Sequence, residues 1–391
     1  MILLEQALRV IETSVSPLST EEVPLEKALN RILAKEVISD ADMPPFNKAA
    51  MDGFACRQSD LGNELTIIEE IPAGKVPVKF IASNQCARIM TGAMVPEGAD
   101  FVLMKEHAEL TASNCVRCIR HAESVNICYQ GEDVKTGDTV LNRGVKLLPA
   151  HLAILAALGC IRPLVTKMPE VAVISTGDEL VEPGDKPGAG KIRNSNGLQL
   201  TAQARQMGLQ SDYLGIVPDN RHKLLETVSD ALSRYQVILI TGGVSVGDYD
   251  FIPDILRELQ VDVLFHGMKV KPGRHMLFGR KGNQFIIGLP GNPVSAFVLF
   301  ELLVKTLLGR LMGSMAQPAV LHVPLAESYS RRNQDMLFLI PVSLTGDGTA
   351  LPLEYHGSAH IHAYSAANGI MEVPAGVKEI KKGELVHVRL I

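Results

Sequence analysis

The chain has 391 residues, 46% of them hydrophobic, which is too many for one ordinary core and predicts three or four domains. Its formal net charge of −5 excludes a broad attraction to nucleic acid or to an anionic membrane, so a polyanionic ligand needs a local cationic or amide-lined site. No run approaches membrane-spanning length, and PAHLAILAALGCIRPLV is broken by His151, Arg162 and Pro163.

The amino terminus, MILLEQALRVIE, has no basic leader and no small-residue cleavage site, so a signal peptide is not expected. The cysteines at 56, 86, 115, 118, 128 and 160 show no dense pairing pattern, which fits reduced thiols in a cytoplasmic chain. Leu4, Ala7, Leu8 and Ile11 recur at helical spacing, and PLEKALNRILAKEV predicts a second helix after a Ser/Pro turn. From Asp42 to Asp133, runs such as LTIIEEI, VPVKFI and CVRCIR between Gly, Pro and Asn turns predict a β-rich insert. Cys115-Val-Arg-Cys118, with His121 and Cys128 nearby, outlines part of a zinc site, but no second CxxC completes it and alternating strand residues are the plainer explanation. GEDVKTGDTVLNRGVKLLPAHLAILAALG then returns to a strand and an apolar helix. The expectation is a split α+β domain (1–41 and 134–168) around the insert (42–133).

From 169 to 313 the pattern strand, Gly-containing loop, helix recurs three times: VAVIST into GDEL, VILIT into GGVSVGDYDF, QFIIG into LPGNPVSAF. That predicts an open, mostly parallel α/β sheet. NRHKLLETVSDALSRY places Leu224, Leu225, Val228, Ala231 and Leu232 on one stripe, and PVSAFVLFELLVKTLLGRL closes the domain. VLHVPL, MLFLIPV and LVHVRL, with a GDG turn, predict a small β-barrel domain over 314–391.

In such a sheet, ligands bind beyond the carboxyl ends of the strands, where helix amino termini offer unpaired N–H groups. All three Gly-bearing loops fall at that edge, so a polyanion is expected against Gly242, Gly243 and Ser245 of the second loop and Pro290, Gly291 and Pro293 of the third. The loops also carry Asp178, Glu179, Asp248 and Asp250, carboxylates that would repel a phosphate unless a divalent cation stood between; a magnesium site is inferred. Lys269, Lys271 and Arg274 of MKVKPGR supply fixed positive charge. Each feature has a plainer reading: GGVSVGD as a tight turn, Pro293 as a first-turn proline, KPGR as a solvated turn, Asp178 or Glu179 as a helix cap. Their shared edge is what joins them into one site.

AMDGFA (50–55), RIMTGA (88–93), STGDEL (175–180), TGGVSVGD (241–248), KPG (271–273) and GLPGNPVSA (288–296), in that order, resemble the MoeA family of molybdopterin molybdenumtransferases, which includes the gephyrin E domain. The resemblance spans essentially the whole chain. It implies an elongated four-domain homodimer whose central domain is related to the molybdopterin adenylyltransferases and faces the partner's insert. It implies, as substrates, adenylylated molybdopterin and molybdate, with AMP released and molybdenum left on the pterin dithiolene. The adenylyltransferase itself is an implied partner. The family's site residues fall on Asp52, Thr91, Asp133, Glu179, Asp219 and Asp250, completed by Lys271, Pro290, Pro293 and Ser358. On this reading Glu179 and Asp250 hold magnesium at the diphosphate, Lys271 steadies anionic charge, and Asp52 and Thr91 come from the other subunit. Gly267 stands where many relatives have a lysine, Lys48 and Ala49 replace the usual small polar residue before AMDG, and Arg332 is a candidate anion contact. Two rival functions share these features: adenylyl transfer to molybdopterin, and a gephyrin-like scaffold.

Overall fold

The strand-and-loop pattern after residue 169 folds as a six-stranded sheet. Its strands are β1 (Val171–Thr176), β2 (Ser211–Val217), β3 (Val237–Thr241), β4 (Asp262–His266), β5 (Leu277–Lys281) and β6 (Gln284–Leu289), in the order β2-β1-β3-β6-β5-β4. The first four in that order are mutually parallel; β5 runs antiparallel to both β6 and β4. The structure is a computed structural model and describes residues 1–112, 114–120, 124–244, 250–315 and 319–391.

The central strands β1, β3 and β6 read as near-continuous apolar runs because both faces are covered. Val171, Val173, Val237, Leu239, Phe285 and Ile287 pack on one side with α1 (Leu4–Ser14) and α2 (Asn196–Gln206). Ala172, Ile174, Ile238, Ile240 and Ile286 pack on the other with α3 (Arg221–Arg234) and α4 (Ile252–Glu258). Asn220 caps α3 by accepting from Lys223 N at 3.1 Å. Leu224, Val228, Ala231 and Leu232 of its stripe are buried, and Leu225 sits at the edge. The long apolar segment forms α5 (Pro293–Leu299) and α6 (Lys305–Leu311), joined by a buried π-helical turn, Phe300–Val304, on the α1 side of the sheet.

Beyond it, β7 (Val320–Pro324), β8 (Leu337–Leu344), β9 (Ala350–Pro352), β10 (Gly369–Val373) and β11 (Leu385–Leu390) pair in the order β8-β10-β11-β7, with β9 on the free side of β8. A bridge between Leu325 and Ala350 joins the end of β7 to β9 and closes the ring, as a small barrel requires. Val270–Lys271 pairs with Leu337–Phe338, hydrogen-bonding the KPGR segment to this barrel. Arg331 is buried there, donating to Val377 O at 2.7 Å, Met336 O at 2.9 Å and Pro374 O, whereas Arg332 is exposed.

By packing, these elements belong to one unit (Met1–Lys35, Gly144–Leu152, Ile161–Ile391), and a second comprises Glu36–Arg143 with Ala153–Cys160. The second unit is β-rich as expected. Its sheet runs Phe101–Met104, Gly53–Cys56, Gln85–Ile89, Glu64–Ile71, Cys115–Cys118, Ala108–Ala112. Cys115–Cys118 is therefore a strand. Among the described residues no cluster of three or more His, Cys, Asp or Glu is placed to hold a metal, and His121 lies outside them. Among the described residues, no helix is long and apolar enough to cross a membrane.

Three sequence expectations need correction. VPVKFI (76–81) forms no strand, and its Val76, Val78 and Phe80 are exposed, without the buried face that an alternating strand needs. PLEKALNRILAKEV is not a helix: it makes one 3₁₀ turn, Leu25–Lys27, and Asn30 then takes the left-handed region at φ 66°. Ile32 and Leu33 are drawn into bridges with Lys146 and Val165, long-range partners that override a helical pattern. Nor does the first Gly loop lead straight into a helix. Leu180–Val181 pairs instead with Ile192–Arg193, and α2 starts only at Asn196.

Candidate active site

Because β1, β3 and β6 are parallel neighbours, their carboxyl ends align: Ser175 opposes Thr241, and Thr241 opposes Leu289. The three loops leave this edge side by side. Gly242, at φ 94°, is the point of closest approach, since a Cβ there would lie 2.2 Å from Thr176 O. Its N–H donates to Leu289 O at 3.1 Å, tying the second loop to the third.

Asp219 fastens the first loop. It accepts from Thr176 Oγ1 at 2.8 Å and Asp178 N at 3.3 Å, and Asp178 accepts in return from Asp219 N at 3.1 Å. The two carboxylates thus brace the turn, and Asp178, unlike Glu179, does not line the cavity at this edge. Glu179 folds back over Gly177, whose Cβ, if present, would lie 2.5 Å from Glu179 Oε2.

Glu179, Gly243, Asp250, Pro290, Gly291 and Pro293 line one cavity of about 660 Å³. A second cavity, of about 390 Å³, is lined by Lys271, Arg274, Pro290 and Ser358. The two share His275, Pro290 and Asn292 as a common wall. Glu179 and Asp250 therefore face one chamber, together with Arg193, and Lys271 and Arg274 face the next. Asn292 Nδ2 donates to Ser358 Oγ at 2.9 Å and Val294 N to Ser358 O at 3.1 Å, which draws Ser358 to the third loop. Lys269 is exposed and lines neither cavity. Gly267 sits at φ 86°, a conformation that disfavours a lysine there. Ser245 and Asp248 lie outside the described residues.

Periodicity could not reveal the residues of α2. Asn196 Nδ2 donates to Thr241 Oγ1 at 2.7 Å and Gly291 O at 2.8 Å; Gln199 Nε2 donates to Pro293 O at 3.3 Å, and Gln203 Nε2 to Phe297 O at 3.3 Å. Three carboxamides, one helical turn apart, thus hold the third loop and α5 by their carbonyls. Asn196→Leu is expected to lower stability by about 1–3 kcal/mol for its two lost bonds, measured by urea unfolding, and to lower turnover more than that loss explains. The SN of KIRNSN was the available signal, a polar pair at the start of a helix. His275 was also missed: burial, then the Arg274 charge, holds its imidazole below the ordinary range, with Asp250 opposing.

In the second unit Asp52 accepts from Thr91 N at 2.8 Å, Thr91 Oγ1 at 2.7 Å and Lys105 Nζ at 3.4 Å. The Thr91 N–H, then its hydroxyl, hold the Asp52 carboxyl below the usual carboxylate range. A depressed folded value means the clasp is stabilising above that range and lost as pH falls through it. The Thr91 amide is expected to exchange slower than its intrinsic rate at neutral pH and to lose that protection in acid as the Asp52 carboxyl takes up a proton; a protection factor that does not change with pH would remove the clasp. Asp133 lies elsewhere in this unit, on a cavity of about 700 Å³ with Asp42, Lys48 and Glu132.

A cage built from three or more protein ligands is absent among the described residues. Magnesium does not need one, since it is commonly held by one or two carboxylates together with substrate phosphates and water. Glu179 and Asp250, on the wall of one cavity, fit that requirement.

Three family models match in succession: "MoeA N-terminal region (domain I and II)" over residues 2–159, "Probable molybdopterin binding domain" over 172–310, and "MoeA C-terminal region (domain IV)" over 323–391. A molybdopterin molybdenumtransferase of Staphylococcus epidermidis is 37% identical over 380 residues, covering 94% of this chain and 90% of that protein. One from Staphylococcus aureus is 34% identical over 397 residues, covering 99% and 94%. The crystal structure of a molybdopterin biosynthesis moeA protein from Pyrococcus horikoshii OT3 superposes with a TM-score of 0.85 at 30% identity, covering all of both chains. The aligned loops, the paired cavities and these matches together place the chain in the MoeA family, the molybdopterin molybdenumtransferases.

Proposed function

We propose that this enzyme of molybdenum cofactor biosynthesis inserts molybdate into adenylylated molybdopterin and releases AMP. The observation that carries the reading is the adjacency of the two chambers, one with Glu179 and Asp250, the other with Lys271, Arg274 and Ser358. A diphosphate bridging pterin and adenosine fits the first, against the backbone of Gly243 and Gly291. A tetrahedral dianion fits the second, where two fixed cations supply charge and a hydroxyl supplies a directional bond. Magnesium, held by Glu179 and Asp250, would neutralise charge on the diphosphate as its phosphoanhydride is cleaved. Asn196 and Asp219 keep the loops in register so that the reacting groups meet without rearrangement. His275, kept neutral between the chambers, exchanges a proton with the anion or with the water that enters and leaves.

The family resemblance extends the reading to a homodimer of four domains (1–41 with 134–168, 42–133, 169–313, 314–391), in which Asp52 and Thr91 come from the other subunit and Asp133 is a further site residue; a cytoplasmic location is part of the same reading. It also admits hand-over from the adenylyltransferase. Stand-alone adenylyl transfer is disfavoured by the MoeA regions matched on both sides of the central domain.

The test is incubation of the purified chain with adenylylated molybdopterin, magnesium and molybdate. AMP release that depends on molybdate, with reconstitution of an apo-molybdoenzyme, is expected; AMP release indifferent to molybdate would refute insertion.

A further inference from the structure

Away from the loop edge, a cavity of about 440 Å³ opens where α1, the end of α2, α6 and β11 converge. Four cationic side chains, Lys146, Lys305, Arg310 and Arg389, and two carboxylates, Glu12 and Glu301, line it, a surplus of two positive charges. Arg310 NH2 lies 3.1 Å from Glu12 Oε1, and Lys305 bonds the buried Glu301. Arg389 reaches Glu372 at 3.3 Å, a carboxylate that does not line the cavity.

These pairs leave donors unused. The Arg389 side chain is only 13% exposed, yet its Nε is buried without a partner and the contact with Glu372 is its one side-chain hydrogen bond among the described residues. A guanidinium has five N–H donors in a planar fork suited to oxyanions, and leaving buried donors unmet is costly. Lys146 is exposed at the cavity and has no ion-pair partner among the described residues. Asn30, Gln206 and Thr306 add neutral polar groups, while Ile32 and Met207 supply apolar wall, a mixture typical of small-molecule sites of this size.

We propose that this cavity is a second binding site, for a small molecule bearing a phosphate or carboxylate group held by Arg389 and Lys146. It is lined by none of the residues assigned to the reaction, so the inference stands whether or not the catalytic reading does.

Isothermal titration of the full chain with inorganic phosphate, and separately with citrate, tests it and tells which acidic group is preferred. Saturable binding of one of them is expected, weakened about tenfold or more by both Arg389→Gln and Lys146→Gln, since each removes a bond to a charged group. Lys146 is on the surface, so its variant keeps the fold even if Arg389→Gln does not. No saturable binding of either anion, or an affinity unchanged in Lys146→Gln, overturns the proposal; the unchanged case would assign the anion to the loop edge.

Discussion

Asp250→Asn is expected to reduce molybdate-dependent AMP release by about 10²–10³-fold, roughly 3–4 kcal/mol of transition-state stabilisation, while the chain stays folded. The substitution keeps volume and removes one negative charge from the cavity wall where Glu179 also stands. Glu179→Gln should behave alike. The double variant should lose little more than either single one, because two residues serving one cation fail as a unit. Gly177→Ala adds a separate check. The added methyl would meet the Glu179 carboxylate at 2.5 Å, so the movable side chain is displaced and turnover falls with Glu179 still present. Steady-state AMP release by all four variants at saturating magnesium decides the matter; wild-type turnover in Asp250→Asn would remove it from the site.

Gly242→Ala is expected to be the most damaging single methyl in the central domain. Its backbone is at φ 94°, where an alanine costs about 1–2 kcal/mol, and the new Cβ would lie 2.2 Å from Thr176 O, a backbone atom that cannot swing aside. Relief requires the ends of β1 and β3 to part, and overpacking of that kind costs about 1–3 kcal/mol more. The urea midpoint should fall and activity should vanish. Gly291→Ala is the control: the nearest atom to its added Cβ is Gly242 Cα at 3.8 Å, so stability should be retained. Equal midpoints for the two variants would contradict the close approach of the loops.

The central sheet was legible because its code is local: unbroken Val and Ile runs for strands covered on both faces, each followed by a Gly turn. The meeting of Glu179, Asp250 and Pro290 followed from that topology, since parallel strands deliver successive loops to one edge. What stayed hidden depends on distant partners. PLEKALNRILAKEV has helical spacing, but Ile32 and Leu33 pair with residues more than a hundred positions away. Asn196, Gln199 and Gln203 look like a polar helix face until the carbonyls of 291–297 are seen opposite. Lys269 and Lys271 are equivalent in the motif, yet only Lys271 lines a chamber, beside Ser358 from the barrel domain. Asp178 and Glu179 are adjacent acids with different tasks, separable only once Asp219 is seen to engage the first.

The account rests on a diphosphate and a divalent cation sharing the chamber walled by Glu179, Asp250 and Pro290. Calorimetric titration of inorganic diphosphate, with and without magnesium, into the wild-type chain and the Glu179→Gln/Asp250→Asn double variant addresses this most directly. Magnesium should tighten diphosphate binding to the wild type by at least tenfold and leave the double variant unaffected. Equal enhancement in both proteins would place the cation elsewhere and contradict the account.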